Sequence, residues 1–171
     1  MRNCFIFLLT LIIFGCSSYH AERVPTVLSS NQWAMMPVAN YSQSPLAGEQ
    51  LEDLLTSLLF QKGVALAHYP RQDNISSLTQ LTASPTGEFH RKWLANQKAD
   101  YVLSGSVQEW HYKTGLDGEP AVTVTLTLRD KSTNELIWSA SGARSGWARE
   151  SIGYAAHQVL ETLLAELPLG D

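Results

Sequence analysis

Apolar side chains recur along this chain with two alternating periods. Trp33 to Ala39 (WAMMPVA) is a short continuous apolar run, the pattern of a buried strand, and Pro37 marks an edge or bulge within it. After a loop at Asn40 to Ser44, Leu46, Leu51, Leu54, Leu55, Leu58 and Leu59 recur at helical spacing, with Glu49 and Asp53 opposite. Ser44 suits the N-cap of that helix and Pro45 its first position, while Gly63 supplies a left-handed C-terminal stop. Val64 to His68 then reads as a second strand. Strand, helix and strand in succession imply a right-handed crossover between parallel partners.

Tyr69 to Pro85 shows no period and is rich in Ser, Thr, Asn and Pro. Thr86 to Gln97 reads as a second helix, with Phe89, Trp93 and Leu94 on one face. Asp100 to Tyr112 reads as a strand. Strict alternation puts Val102, Ser104, Ser106, Gln108 and Trp110 on one side and Tyr101, Leu103, Gly105 and Val107 on the other. Gly115 to Pro120 (GLDGEP) is turn chemistry. Ala121 to Arg129 alternates cleanly, Val122, Val124, Leu126 and Leu128 against Thr123, Thr125 and Thr127, as a half-buried antiparallel strand does. Asp130 to Asn134 makes the next turn and Leu136 to Ala140 returns as a strand. The last helix runs from about Glu150 to Leu167, with Ile152, Ala156, Val159, Leu160, Leu163 and Leu167 as its apolar face. The predicted order is β-α-β-α-β-β-β-α. It describes one α/β (α+β) domain over 32–171, a mixed sheet flanked by helices.

The N-terminal end has a different character. Arg2 and Asn3 precede an apolar run from Phe5 to Phe14 that is broken only by Thr10. About ten residues cannot span a bilayer as a helix, which takes about 20, but they match the apolar part of a signal peptide. The run ends in Gly15-Cys16-Ser17, which resembles a bacterial lipobox: a small residue directly before a cysteine. That resemblance implies removal of 1–15 and acylation of Cys16, and Ser17 after the cysteine resembles an outer-membrane address facing the periplasm. Residues 16–31, polar and without period, read as a lipidated tether. Cys4 leaves with the leader, so no pair of thiols remains for a disulfide or thiolate metal site.

The mature chain carries 11 basic and 16 acidic side chains, a balance of −5, since only Arg2 leaves with the leader. That balance argues against nucleic acid as a partner. The charged fraction of 16% excludes a disordered solvating chain. Chemistry-bearing motifs are sparse. The five histidines, His20, His68, His90, His111 and His157, never stand three or four residues apart, so no helical metal face exists. There is no Gly-x-Ser-x-Gly elbow, phosphate-binding loop or dinucleotide fingerprint, and nothing converges Glu49, Asp53 and Glu109 into a hydrolytic pair. The expectation is a non-catalytic protein with no catalytic residues, metal or cofactor beyond the lipid on Cys16.

Two loops carry more information. Gly115 to Pro120 holds Asp117 and Glu119, with no basic residue inside the turn. It reads as an acidic projection or as an ordinary soluble hairpin. Gly142 to Arg149 places Trp147 between Arg144 and Arg149. An indole flanked by arginines suits the headgroup region of a membrane; the other reading folds the Trp onto the core, beside the last helix.

At these loops the chain becomes familiar. Glu109 to Val122 (EWHYKTGLDGEPAV) and Leu136 to Trp147 (LIWSASGARSGW) resemble the PelC family, outer-membrane lipoproteins of the Pel exopolysaccharide secretion machinery. Trp33 to Tyr41, the lipobox and the overall length fit the same family, and only Tyr69 to Gln97 carries no matching motif. The element order also resembles periplasmic domains of curli-secretion lipoproteins and the N-terminal part of TolB. The family resemblance implies a homododecameric ring under the outer membrane, beneath the export porin PelB. Its acidic lumen would attract a cationic, partly deacetylated amino-sugar polymer. It implies Asp117 and Glu119 on the lumen and Trp147, Arg144 and Arg149 toward the membrane. Salt screens a lone exposed charge over about 8 Å, so one protomer has a weak field, whereas repeating one acidic loop around a ring concentrates it. The alternative is a monomeric periplasmic lipoprotein that regulates a cell-wall or envelope enzyme.

Overall fold

The computed structural model describes residues 17–22, 26–70, 88–114, 118–147 and 149–170. Its strands are Ser17–Glu22 (β1), Val27–Leu28 (β2), Trp33–Met35 (β3), Ala39–Asn40 (β4), Leu66–His68 (β5), Tyr101–Tyr112 (β6), Pro120–Asp130 (β7), Leu136–Ser145 (β8) and Leu169–Gly170 (β9). The helices are Ala47–Gln61 (α1), Glu88–Asn96 (α2) and Ile152–Ala165 (α3). The main sheet runs β1-β8-β7-β6-β3-β5, with β4 also paired to β6, and β2 and β9 form a small parallel pair. This is the expected mixed α/β arrangement. β3 lies parallel to both β5 and β6, as the crossover argument requires.

The alternation of β7 is realised as read. Val122, Val124, Leu126 and Leu128 are fully buried, and Thr123, Thr125 and Thr127 are half-buried on the opposite face. α1 buries Leu51, Leu55, Leu58 and Leu59, and α3 buries Val159, Leu160, Leu163 and Leu164. The two helices touch each other and both touch the sheet, closing the core over its dry face. Each buried Leu or Val contributes about 1.5–3 kcal/mol. Gly63 adopts φ +80° after α1, the stop its sequence position announces. Asp130 takes up the next turn: its carboxylate accepts from the Ser132 hydroxyl (2.6 Å) and from the amides of Ser132 (2.8 Å) and Thr133 (2.9 Å).

Several local expectations are corrected. Ser44 does not cap α1: Leu46 holds that position without a side-chain bond. The Ser44 carbonyl accepts from the Asn40 amide instead (2.7 Å), and the Asn40 side-chain oxygen accepts from Ser42 N (3.0 Å) and the Ser42 hydroxyl (2.7 Å). Asn40, a buried polar residue, thereby organises the whole loop. Trp33 to Ala39 is two strands rather than one, divided around Pro37. Residues 17–22 and 27–28, expected within a polar tether, are strands. Ser17–Glu22 pairs antiparallel with β8, from Ser17 opposite Arg144 to Glu22 opposite Ser139. Pairing at a sheet edge is a backbone transaction and leaves no apolar period to detect.

The most consequential departure is in β6. Between Val107 and Glu109 the register against β7 shifts by a bulge. Without it, Trp110 would share the face of Ser104 and Ser106. With it, Glu109 points outward beside Thr123, whose hydroxyl donates to the carboxylate (2.6 Å), and Trp110 turns into the core, 2% exposed. There its indole N–H donates to Gln50 Oε1 at 3.0 Å. The bulge makes Trp110 a core residue, so Trp110→Ala should cost about 3–5 kcal/mol in a denaturant melt; a change under about 1 kcal/mol would show that the indole does not pack there.

Candidate functional site

Beyond Val107, β6 has only β7 beside it among the described residues. The β6–β7 hairpin therefore projects past β3 and β4, and the end of β8 projects with it, Ser145 standing opposite Ala121. Lys113 N donates to the Glu119 carbonyl (2.8 Å) and closes the hairpin. Gly146 N donates to the Pro120 carbonyl (2.8 Å) and ties the β8–α3 loop to that hairpin. The acidic turn and the tryptophan loop, read separately in the sequence, thus form one end of the molecule. Gly146 is required at their contact: a Cβ there would lie 2.6 Å from Pro120 Cγ and 2.7 Å from a Glu150 carboxylate oxygen.

Glu150 is the hub of this end. Its carboxylate accepts from Arg144 Nη2 (2.9 Å) and from the backbone N–H of Trp147 (2.9 Å), while its own N–H donates to the Trp147 carbonyl (3.0 Å). The side chains of Arg144 and Glu150 are 22% and 11% exposed. Burial pushes the Glu150 carboxyl upward, but the Trp147 amide and the Arg144 guanidinium outweigh it and hold the group below its ordinary 4.5. One residue on, Ser151 caps α3 by accepting from Tyr154 N (3.1 Å). The Tyr112 hydroxyl accepts from Ile152 N (3.0 Å), bringing the end of β6 onto the start of α3.

The expected site residues meet different fates. Trp147 is 57% exposed, so it projects rather than packing on the core. Arg149 is exposed, at φ +69°, and makes no ion pair among the described residues. Arg144, expected beside them, is turned inward and bonded to Glu150. Glu119, expected to have no base near it, has Lys113 Nζ at 3.8 Å, both side chains being well exposed. Such a pair is worth at most about 1 kcal/mol and leaves the carboxylate accessible. Cys16 and Asp117 lie outside the described residues. Glu150, Tyr112 and Tyr154 were missed. The opposite charges of Arg144 and Glu150 around the Gly146-Trp147 loop were a signal for the first, but no sequence spacing links Tyr112 to Ile152.

Away from this end, a cleft of about 240 Å³ is lined by Met35, Pro37, Glu52, Asp53, His68 and Tyr69. Glu52 accepts the Val38 N–H there at 2.8 Å, a bond that holds the segment between β3 and β4 to α1. Among the described residues no cluster of His, Cys, Asp and Glu is able to hold a metal, and no helix is long and apolar enough to cross a membrane.

The sheet and helix arrangement defines the class. A lipoprotein from Neisseria meningitidis shares the fold at a TM-score of 0.57 and 16% identity, covering 80% of this chain and 96% of that one. A hypothetical protein from Chlamydia trachomatis does so at 0.51 and 14%, over 81% and 95%. Two structures of a PelC dodecamer from Paraburkholderia phytofirmans are more similar, with TM-scores of 0.75 and 0.74. Both are 31% identical and cover 91% of this chain and 100% of theirs. The chain belongs to the PelC family. No family model and no curated protein matches it.

Glu150→Gln should cost about 2–3 kcal/mol, somewhat below the 3–5 of a fully dry ion pair. Because the folded carboxyl titrates below its unfolded value, its contribution is present above about pH 4.5 and is lost as pH falls through the depressed folded value. A pH series of melts on both proteins checks this: the gap between them should close in acid. Trp147→Ala should change stability by no more than about 0.5 kcal/mol, as an exposed position does. A loss of several kcal/mol in the same melt would make Trp147 a packing residue.

Proposed function

We propose that this protein is a non-catalytic outer-membrane lipoprotein. Anchored through acylated Cys16, it assembles with copies of itself into a ring and guides a cationic exopolysaccharide through an acidic lumen to an export porin. Self-assembly is supported by the dodecameric state of its solved relatives. The observation that carries the rest is the Gly146 to Pro120 bond, which fuses the Glu119 turn and the Trp147 loop into one end of the fold. If Trp147 and Arg149 meet the lipid headgroups, then Asp117 and Glu119 stand at the membrane-side mouth of the ring. Polymer meets them there just before it enters the porin.

The energetics suit guidance rather than capture. Exposed, salt-screened carboxylates each attract a polymer amine weakly. Repetition around a ring raises local polymer concentration without a deep trap at any subunit. No proton transfer or nucleophile is needed, and Lys113 beside Glu119 tempers the attraction further.

Native mass measurement of the soluble domain, together with charge reversal, tests the reading. Asp117→Lys with Glu119→Lys changes each protomer by +4. The melt should shift by no more than about 0.5 kcal/mol, because turn surfaces tolerate such changes. The ring should still form and export of the cationic polymer should fall. Normal export through an assembled, charge-reversed ring removes the lumen role. A monomer at all concentrations, with an envelope enzyme bound, favours the regulatory reading instead.

A further inference from the structure

β1 changes what the anchor can do. Its first residue, Ser17, pairs with Arg144, three residues before Trp147 on the neighbouring strand. A free tether over 16–31 would reach about 50 Å from its lipid. With β1 seated on β8, the acylation site is one peptide unit, about 3.8 Å, from the sheet end that carries Trp147.

That end presents three half-exposed rings. Trp147 is 57%, Tyr154 54% and Tyr112 50% exposed. None is loosely held. Trp147 N is bonded to Glu150, Tyr154 N to Ser151, and the Tyr112 hydroxyl to Ile152 N, so the rings ride on a closed backbone frame. Arg149 adds an exposed cation that makes no ion pair among the described residues. Amphipathic rings with a cation beside them match the boundary between headgroups and acyl chains.

We infer that β1 is a seating clamp: by pairing with β8 it converts a lipidated tether into a short, rigid mount that presses the Tyr112–Trp147–Tyr154 edge into the lipid headgroup layer. This rests on the reading that Cys16 is acylated and Trp147 faces lipid. The occupant of the edge is the bilayer that holds the anchor, because the chain upstream of β1 begins beside it. A short mount also removes most of the entropy that a long tether would lose each time the edge docked. All copies in a ring would then sit at one depth.

The test uses the full lipidated chain in phosphatidylethanolamine–phosphatidylglycerol vesicles with brominated acyl chains, which quench nearby indoles. The chain has five tryptophans, so the Trp147 signal is taken as the difference from Trp147→Phe. Two variants release the clamp. Tyr19→Pro with His20→Pro places a proline on an N–H directed at β8, whichever of the two that is. A six-residue insertion of three Gly-Ser repeats between Ser18 and Tyr19, adding about 20 Å of reach, leaves the rest of β1 intact and guards against misfolding of the first variant. Both should stay bound to vesicles and keep the native melt, while quenching of Trp147 falls at least twofold. Full quenching in both variants overturns the clamp and leaves the membrane-facing edge standing. An unquenched Trp147 in the native chain overturns the membrane-facing reading, and the clamp with it.

Discussion

One face of the β6–β8 meander has to stay dry along its whole length, and much of the molecule follows from that. Val122, Val124, Leu126 and Leu128 line it without exposure, and Trp138 and Ala140 continue it on β8. α1 and α3 cover it. The meander outruns β3 and β4, however, so the far end of its dry face is closed by the start of α3 and, at Trp110, by Gln50 of α1. Two side chains there need special provision. Trp110 reaches the dry side through the bulge after Val107, and Arg144 falls on that side by the parity of β8. An inward charge without a partner costs several kcal/mol. Glu150 meets the requirement, and in doing so it also binds the backbone of Trp147.

The geometry of the candidate site is therefore a by-product of closing the core. The Gly146 to Glu150 segment is held at one end by Arg144 and Pro120 and at the other by the cap of α3, which leaves Trp147 nowhere to go but outward. The same Pro120 contact fixes the hairpin that carries Glu119. The acidic turn and the aromatic loop share one rigid frame, so the position of one sets the position of the other. β1 lies against this frame on its open side, along the edge that β8 would otherwise leave unpaired.

Fold class was legible because it is written in periods. The helical spacing of Leu51 to Leu59 and the alternation of Val122 to Leu128 each need only neighbouring residues to be recognised. Gly63 declared its turn for the same reason. Family membership was legible too, since the Glu109 to Val122 and Leu136 to Trp147 strings are long and distinctive. The candidate site was legible as two loops, but not as one place. The bond between Gly146 and Pro120 is a long-range backbone contact that no local pattern records.

What the sequence by itself determined was the order of the elements, the apolar face of each long strand and helix, and the residue types exposed in the two loops. Only the tertiary structure decided the rest. The bulge turned Trp110 inward because a period of two carries no memory across an extra residue. Arg144 became the ion-pair partner of Glu150 because parity on β8 aims it at the start of α3. Residues 17–22 became a strand because edge pairing is made by backbone groups, which every residue other than proline supplies alike.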